Sequence, residues 1–267
     1  MGFRWAMAVV GVVAAMDASA ATFSTDASDL WYASPADSEA GWGVNVAQQG
    51  SVLFLTMFVY GPNSQPTWLV GSNIAYSGSS GAGMTFTGPL YATVGSSYAA
   101  PWNPAAMSYR QVGSVSFTLN SPTTATLTYT ADGTQVRKNL VRQTWKFSDL
   151  SGQYIGGVAG TFSQCANPAT NGFTLEYASA AITHSGSNFS MDLENFDKAG
   201  SCSYDGTYVQ SGRLGSVTGH YSCTGGNTGT FTASEVEATT SGFVMKVQES
   251  SSSCNWAGRI GGVRATP

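Results

Sequence analysis

Apolar and polar residues alternate with a period of two along most of the chain, and glycine, proline, asparagine and aspartate interrupt the alternation at short intervals. Val44-Asn45-Val46 and the run Val52–Tyr60 flank Gln48-Gln49-Gly50, and Gly61-Pro62-Asn63-Ser64-Gln65-Pro66 turns the chain into Thr67-Trp68-Leu69-Val70. This predicts a meander of antiparallel strands. Val115–Leu119 and Ala125–Thr130 alternate again, Asp132-Gly133 supplies the hairpin dipeptide that accepts positive φ, and Gln135–Trp145 returns. No segment after the first twenty residues carries the 3.6-residue period of an amphipathic helix.

The pattern pauses around Ser148-Asp149-Leu150-Ser151-Gly152, which we read as a domain boundary, giving an N-terminal unit over 21–148 and a C-terminal unit over 149–267. The second unit opens with Gln153-Tyr154-Ile155-Gly156-Gly157 and closes with Ala257-Gly258-Arg259-Ile260-Gly261-Gly262-Val263. Similar rhythm at both ends is what the first and last strands of a closed sheet produce. The expected fold is all-β: two consecutive small antiparallel up-and-down β-barrels, or barrel-like sandwiches, with the second stapled by disulfides.

The first residues change where the chain is expected to work. Arg4, the apolar run Trp5–Met16 and Asp17-Ala18-Ser19-Ala20-Ala21 follow the order of a secretory signal peptide over 1–20, cut near Ala20 by a Sec-type route. The run falls short of the roughly 20 residues that cross a bilayer, and no cysteine stands at the cut to take a lipid. A secreted or periplasmic protein without stable membrane insertion is expected.

Only 10% of residues are charged, the formal net charge is −4, and no basic field exists to attract phosphates, so nucleic acid is excluded as a partner class. Low charge here does not mean disorder. With 12% aromatic residues and abundant threonine, valine and tyrosine, the composition is that of strands and turns.

All four cysteines, Cys165, Cys202, Cys223 and Cys254, lie in the second unit, and no C-x-x-C pair occurs. In an oxidising compartment they are expected as disulfides rather than metal ligands. The midpoint between Cys202 and Cys223 falls between Gly212 and Arg213, where Ser211-Gly212-Arg213 offers a turn that sets Tyr204 opposite Tyr221. In an up-and-down barrel the first strand also neighbours the last, which brings Cys165 to Cys254. The expected pairs are therefore Cys202–Cys223 and Cys165–Cys254.

Leu30-Trp31-Tyr32, Ser34-Pro35, Gly41-Trp42-Gly43-Val44-Asn45, Gln49-Gly50, Leu53-Phe54, Met57-Phe58-Val59-Tyr60 and Gln65-Pro66-Thr67-Trp68 form an ordered block. It resembles the W-x-x-P…GWG-x-N…QG…LF…F-x-Y…P-x-W block of a family of exported proteobacterial proteins whose role is undefined. The resemblance covers about the first third of the chain after the signal, and implies an exported β-domain. Ser34 departs from it where asparagine is common, and Asp37-Ser38-Glu39-Ala40 looks stretched. The second unit, with Cys202-Ser203-Tyr204-Asp205-Gly206-Thr207-Tyr208 and Gly219-His220-Tyr221-Ser222-Cys223, is similar to modules found beside that block.

Trp31, Trp42, Tyr60, Trp68 and Trp102 are the aromatic candidates for a platform on which sugar rings stack, with Asn45 and Gln48 as hydrogen-bonding neighbours. Gly41-Trp42-Gly43 and the apolar surroundings of Trp68 instead favour burial, whereas Trp31 and Trp102, beside Pro35, Pro101 and Pro104, read as surface residues. Asp37 and Glu39 are the candidate acid/base pair, set against solvated turn residues. Asp192, Glu194 and Asp197 are the candidate Ca²⁺ cluster, but Phe196 breaks the loop pattern and an acidic strand end fits better. His184 and His220 lack an acidic neighbour in sequence, and no G-x-S-x-G elbow, H-E-x-x-H or phosphate loop occurs.

The expectation is an exported, non-catalytic protein without metal or cofactor. It binds a glycan, envelope material or a small apolar or aromatic ligand through loop aromatics, and its oligomeric state stays open. The alternatives are a secreted hydrolase using Asp37, Glu39, His184 or His220, and an outer-membrane barrel, which the absence of aromatic girdles disfavours.

Overall fold

A computed structural model describes residues 26–80, 83–196 and 200–265, so the expected signal over 1–20, its cut near Ala20 and Asp197 lie outside the described residues. The first eight strands are β1 (Asp29–Ala33), β2 (Gly43–Gln49), β3 (Val52–Tyr60), β4 (Pro66–Ser80), β5 (Gly83–Val94), β6 (Ser108–Leu119), β7 (Thr124–Ala131) and β8 (Thr134–Arg142). Each pairs with the next and β8 pairs with β1, which closes an antiparallel barrel. The second eight are β9 (Gly152–Ser163), β10 (Gly172–Ser185), β11 (Asn188–Asn195), β12 (Ser201–Ser211), β13 (Leu214–Cys223), β14 (Thr228–Ala238), β15 (Gly242–Ser251) and β16 (Asn255–Arg264). They close in the same way through β16 and β9. The fold is the pair of consecutive up-and-down barrels that the alternation predicts, although β1 and β5 were not distinguishable as strands in the sequence.

Turn chemistry sets the registers. Asp132 (φ 48°) and Gly133 (φ 83°) both occupy the left-handed region between β7 and β8, as a two-residue hairpin requires. Alternate residues then face inward. Leu53, Leu55 and Met57 of β3 join Trp31, Phe86 and Phe117 in the first core, all fully buried, and Phe117 meets Trp31 edge-on at 5.6 Å. The second core is built around tyrosines, with Tyr154, Tyr204, Tyr208 and Tyr221 packed with Phe231 and Trp256.

Both expected disulfides are formed, Cys165–Cys254 and Cys202–Cys223, a state compatible with an exported protein. Cys202 lies opposite Cys223, and Tyr204 lies opposite Tyr221, their rings stacked at 5.8 Å. Tyr204 Oη donates to Glu249 Oε1 at 2.7 Å inside the barrel. Burial pushes the Glu249 carboxyl above its ordinary range, partly offset by that bond, and burial followed by the Glu249 charge raises the Tyr204 hydroxyl.

One cation organises the base of the first barrel. Arg142 is 2% exposed and its guanidinium lies 4.5 Å over the Trp31 ring. Its Nε donates to Pro122 O (2.7 Å), Nη1 to Ser28 O (3.0 Å) and Asp29 Oδ2 (3.0 Å), and Nη2 to Asp26 O (2.6 Å). Desolvation draws its pKa down and Asp29 opposes that. The bonds hold 26–28 across the barrel end, where Trp31 Nε1 donates to Ala27 O at 3.0 Å.

The same carboxylate seats the second barrel. Asp29 Oδ2 accepts the backbone N–H of Arg213 at 3.0 Å, Arg213 Nε donates to Ser28 O at 2.9 Å, and its Nη2 pairs with Asp26 at 2.9 Å. Gly212 (φ 62°) precedes it in the β12–β13 turn and donates to Thr144 Oγ1 at 2.7 Å. A Cβ there would stand 2.3 Å from Asp29 Oδ2, so only glycine lets the turn approach.

Two outcomes follow from these buried charges. Asp29→Ala leaves Arg142 buried without its counter-charge and is expected to lower stability by about 3–5 kcal/mol, read from urea unfolding. Glu249 has a raised pKa in the folded state, so its contribution is fully present below the unfolded value of about 4.3 and is lost as pH rises through the folded value. Unfolding midpoints from pH 4 to 8 are expected to decline for the natural protein relative to Glu249→Gln, which keeps an acceptor for Tyr204 and cannot ionise.

Candidate functional site

Strand β3 is apolar on both faces, and only one of them is needed for the core. Leu53, Leu55 and Met57 point inward, leaving Phe54, Phe58 and Tyr60 on the outside, about half exposed. In the register Phe58 lies opposite Trp68 of β4, Trp68 Nε1 donates to Thr93 Oγ1 of β5 at 3.2 Å, and Thr93 lies opposite Tyr109 of β6. Phe58, Trp68 and Tyr109 therefore form an outward row across four adjacent strands, with exposures of 48%, 52% and 69%. At a strand spacing of ~4.8 Å, Phe58 and Trp68 stand one interval apart, and Trp68 and Tyr109 two.

A second row runs beside it. Asn45 faces Thr56, Thr56 faces Val70, Val70 faces Tyr91 and Tyr91 faces Gln111. Tyr91 touches Tyr109 edge-on at 5.9 Å, which ties the two rows together. At the strand ends a shallow depression of about 410 Å³ lies between Gly41, Tyr60, Pro66 and Trp68. Glycine is favoured at 41 by its left-handed backbone (φ 84°), and a Cβ there would displace the Tyr60 hydroxyl, from which it would stand 2.0 Å.

Trp102 stands 66% exposed on the loop joining β5 to β6, the strands that carry Thr93 and Tyr109. That loop is built: Asn103 N donates to Ser96 Oγ at 2.8 Å, and Asn103 Oδ1 caps the 3₁₀ turn Pro104–Ala106 by accepting from Ala105 N at 3.0 Å.

The five tryptophan and asparagine candidates thus divide. Asn45, Trp68 and Trp102 are on the exposed surface, the first two on adjoining rows. Trp31 is not a surface residue; it is fully buried on the inward face of β1, and the nearby Pro35 belongs to the turn that follows the strand. Trp42 is half-buried against the core with Lys138 Nζ 5.6 Å from its ring centre, and its Nε1 is enclosed without a partner, so it offers no open platform. Trp68 reverses the reading from its apolar run, since Leu69 takes the inward position. Gln48 serves the fold, accepting from Ala27 N at 2.8 Å and donating to Gly50 O at 2.9 Å. Phe58, Tyr91 and Tyr109 were missed, and the two-faced apolar run of β3 is a sequence signal for Phe58 alone.

Of the groups considered for catalysis or metal, Glu39, His184 and Asp192 are engaged in local contacts. Asp37 occupies a left-handed turn position (φ 61°), and both Glu39 oxygens bond Lys138 Nζ at 2.6 Å. His184 Nδ1 accepts from Leu150 N at 3.5 Å, its Nε2 meets Gly186 O at 3.0 Å, and its ring packs edge-on against Tyr208 at 4.6 Å. Both ring nitrogens are thus engaged, Nδ1 with the inter-barrel segment and Nε2 with the β10–β11 turn. His220 faces outward opposite Asp205 on the exposed surface. Asp192 accepts from Ser203 Oγ at 2.6 Å, and among the described residues no three acidic, histidine or cysteine side chains gather as a metal site.

No family model, curated protein or solved structure matches this chain. The outer row therefore has to be read from its own geometry.

Stability separates the two kinds of tryptophan. Trp31→Ala is expected to cost about 3–5 kcal/mol as a core truncation, whereas Trp68→Ala is expected to stay within about 0.5 kcal/mol, as an exposed substitution does. Chemical unfolding of the two variants checks the assignment.

Proposed function

We propose that this is an exported carbohydrate-binding protein, and that the outer face of its first barrel lies against the sugar rings of a polysaccharide. The observation that carries this reading is the row Phe58, Trp68, Tyr109, half or more exposed although the core beneath it is already complete. Aromatic faces pack against the C–H faces of sugars, and clustered apolar exposure of this kind on a soluble protein marks a contact surface. Asn45 and Thr56, one row away, supply the hydrogen-bonding groups a polyol needs.

The face is convex and spans several strands, so it suits an extended polymer rather than an enclosed small molecule. Inward-facing side chains of both barrels are mostly apolar, Arg142 and the Tyr204–Glu249 pair excepted, and outward-facing positions include many threonines, serines and asparagines. That is the reverse of a membrane-spanning barrel, and it supports a protein that works in water. The disulfides and the signal-like first twenty residues support export to the periplasm or the medium.

Binding is tested by depletion from solution over microcrystalline cellulose, chitin and peptidoglycan sacculi. Retention by at least one of them is expected, weakened tenfold or more in the double variant Phe58→Ala/Trp68→Ala, which corresponds to about 1.4 kcal/mol. No retention on any polymer, or undiminished retention of the double variant, rejects the reading.

A further inference from the structure

A cleft of about 720 Å³ lies at the junction, walled by segments of both barrels. Barrel two contributes Gln210, Gly212 and Arg213 from the β12–β13 turn, and the β14–β15 turn at Thr239 and Thr240. The opposite wall is Asp29 and the linker around Gln143–Asp149. Binding sites favour such domain boundaries, provided the walls keep their distance.

The walls are fixed because their own polar groups are satisfied. Gln210 Oε1 accepts from Ser148 N at 2.8 Å, and its Nε2 donates to Lys146 O at 2.9 Å and Gly212 O at 2.8 Å. Arg213 is bonded to Asp26, Ser28 and Glu237. Thr239 Oγ1 accepts from Gly242 N at 3.2 Å, and Arg264 Nη1 donates to Ser151 O at 2.7 Å. Five lining side chains with polar atoms stand apart from this framework: those of Gln143, Trp145, Lys146, Ser148 and Thr240 make no side-chain hydrogen bond or ion pair among the described residues. Trp145 is 73% exposed although the linker beneath it is anchored.

We propose that this cleft is a second binding site, distinct from the outer aromatic face, and that it takes a sugar residue carrying a carboxylate. The Trp145 ring offers a stacking plane, Gln143 and Thr240 offer donors and acceptors for ring hydroxyls, and of the two lining cations without a paired anion, Lys146 and Arg264, only Lys146 is uncommitted, since Arg264 donates to Ser151 O and lies over the Tyr154 ring. Asp149, held anionic below its ordinary value by its bond to Ser151 N, lines the cleft further along the linker. It repels a carboxylate placed at that position, so the acidic substituent is directed to Lys146.

Isothermal titration and tryptophan fluorescence with trigalacturonate and with fully methyl-esterified trigalacturonate test the site. The acid is expected to bind, and to bind at least fivefold more tightly than the ester. Trp145→Ala is expected to weaken the acid tenfold or more, and Lys146→Gln to remove the preference for acid over ester. Trp145 and Lys146 are exposed, so both variants are expected to fold, which far-ultraviolet dichroism and thermal melting verify. The Phe58→Ala/Trp68→Ala variant is expected to keep trigalacturonate binding, which separates a failure here from a failure of the outer-face reading. No binding of the acid, equal affinity for acid and ester, or an unchanged Trp145→Ala variant overturns the proposal.

Discussion

The contact between Arg142 and Asp29 is the constraint on which the rest of the structure turns. Both side chains are almost fully withdrawn from water, at 0% and 3% exposure, so neither charge survives there without the other. The guanidinium spends its remaining donors on the carbonyls of 26–28 and 122, which holds the entering chain over Trp31. Asp29 in turn presents the oxygen that receives Arg213 from the other barrel. One ion pair thus seals the first core and fixes the walls of the cleft.

Closure of both sheets explains why the outside of the first barrel is free to be aromatic. In a closed barrel every strand has two neighbours, and no edge remains to be protected by charge. Inward residues supply the core, with each large apolar side chain contributing roughly 1.5–3 kcal/mol. The outward residues of β3 to β6 are then released from any duty to stability, and their chemistry is set by what they touch outside.

Much of this architecture was legible in the sequence. Turn dipeptides such as Asp132-Gly133 and the position of Gly212 midway between two cysteines carried enough local geometry to give strand order and both disulfides. Side-chain direction was far less legible. Trp31 and Trp68 exchanged places relative to their neighbourhoods, because in a strand one residue of offset moves a ring from core to solvent. The row from Phe58 to Tyr109 depends on registers accumulated over four strands, including bulges between Leu53 and Leu55 and between Leu90 and Tyr91, which no local pattern records. The role of Arg142 was equally hidden, since three of its four hydrogen-bonding partner residues lie more than a hundred positions away.

The two disulfides sit together at the end of the second barrel opposite the linker, and Cys165–Cys254 spans the seam where β9 meets β16. A tether that hauls on the first barrel sends its tension along the linker into the base of β9. Peeling then runs up that strand and halts at Cys165, where the covalent bridge hands the force directly to the beginning of β16. The chain between those two cysteines is mechanically bypassed, so six of the eight strands stay slack while the seam yields.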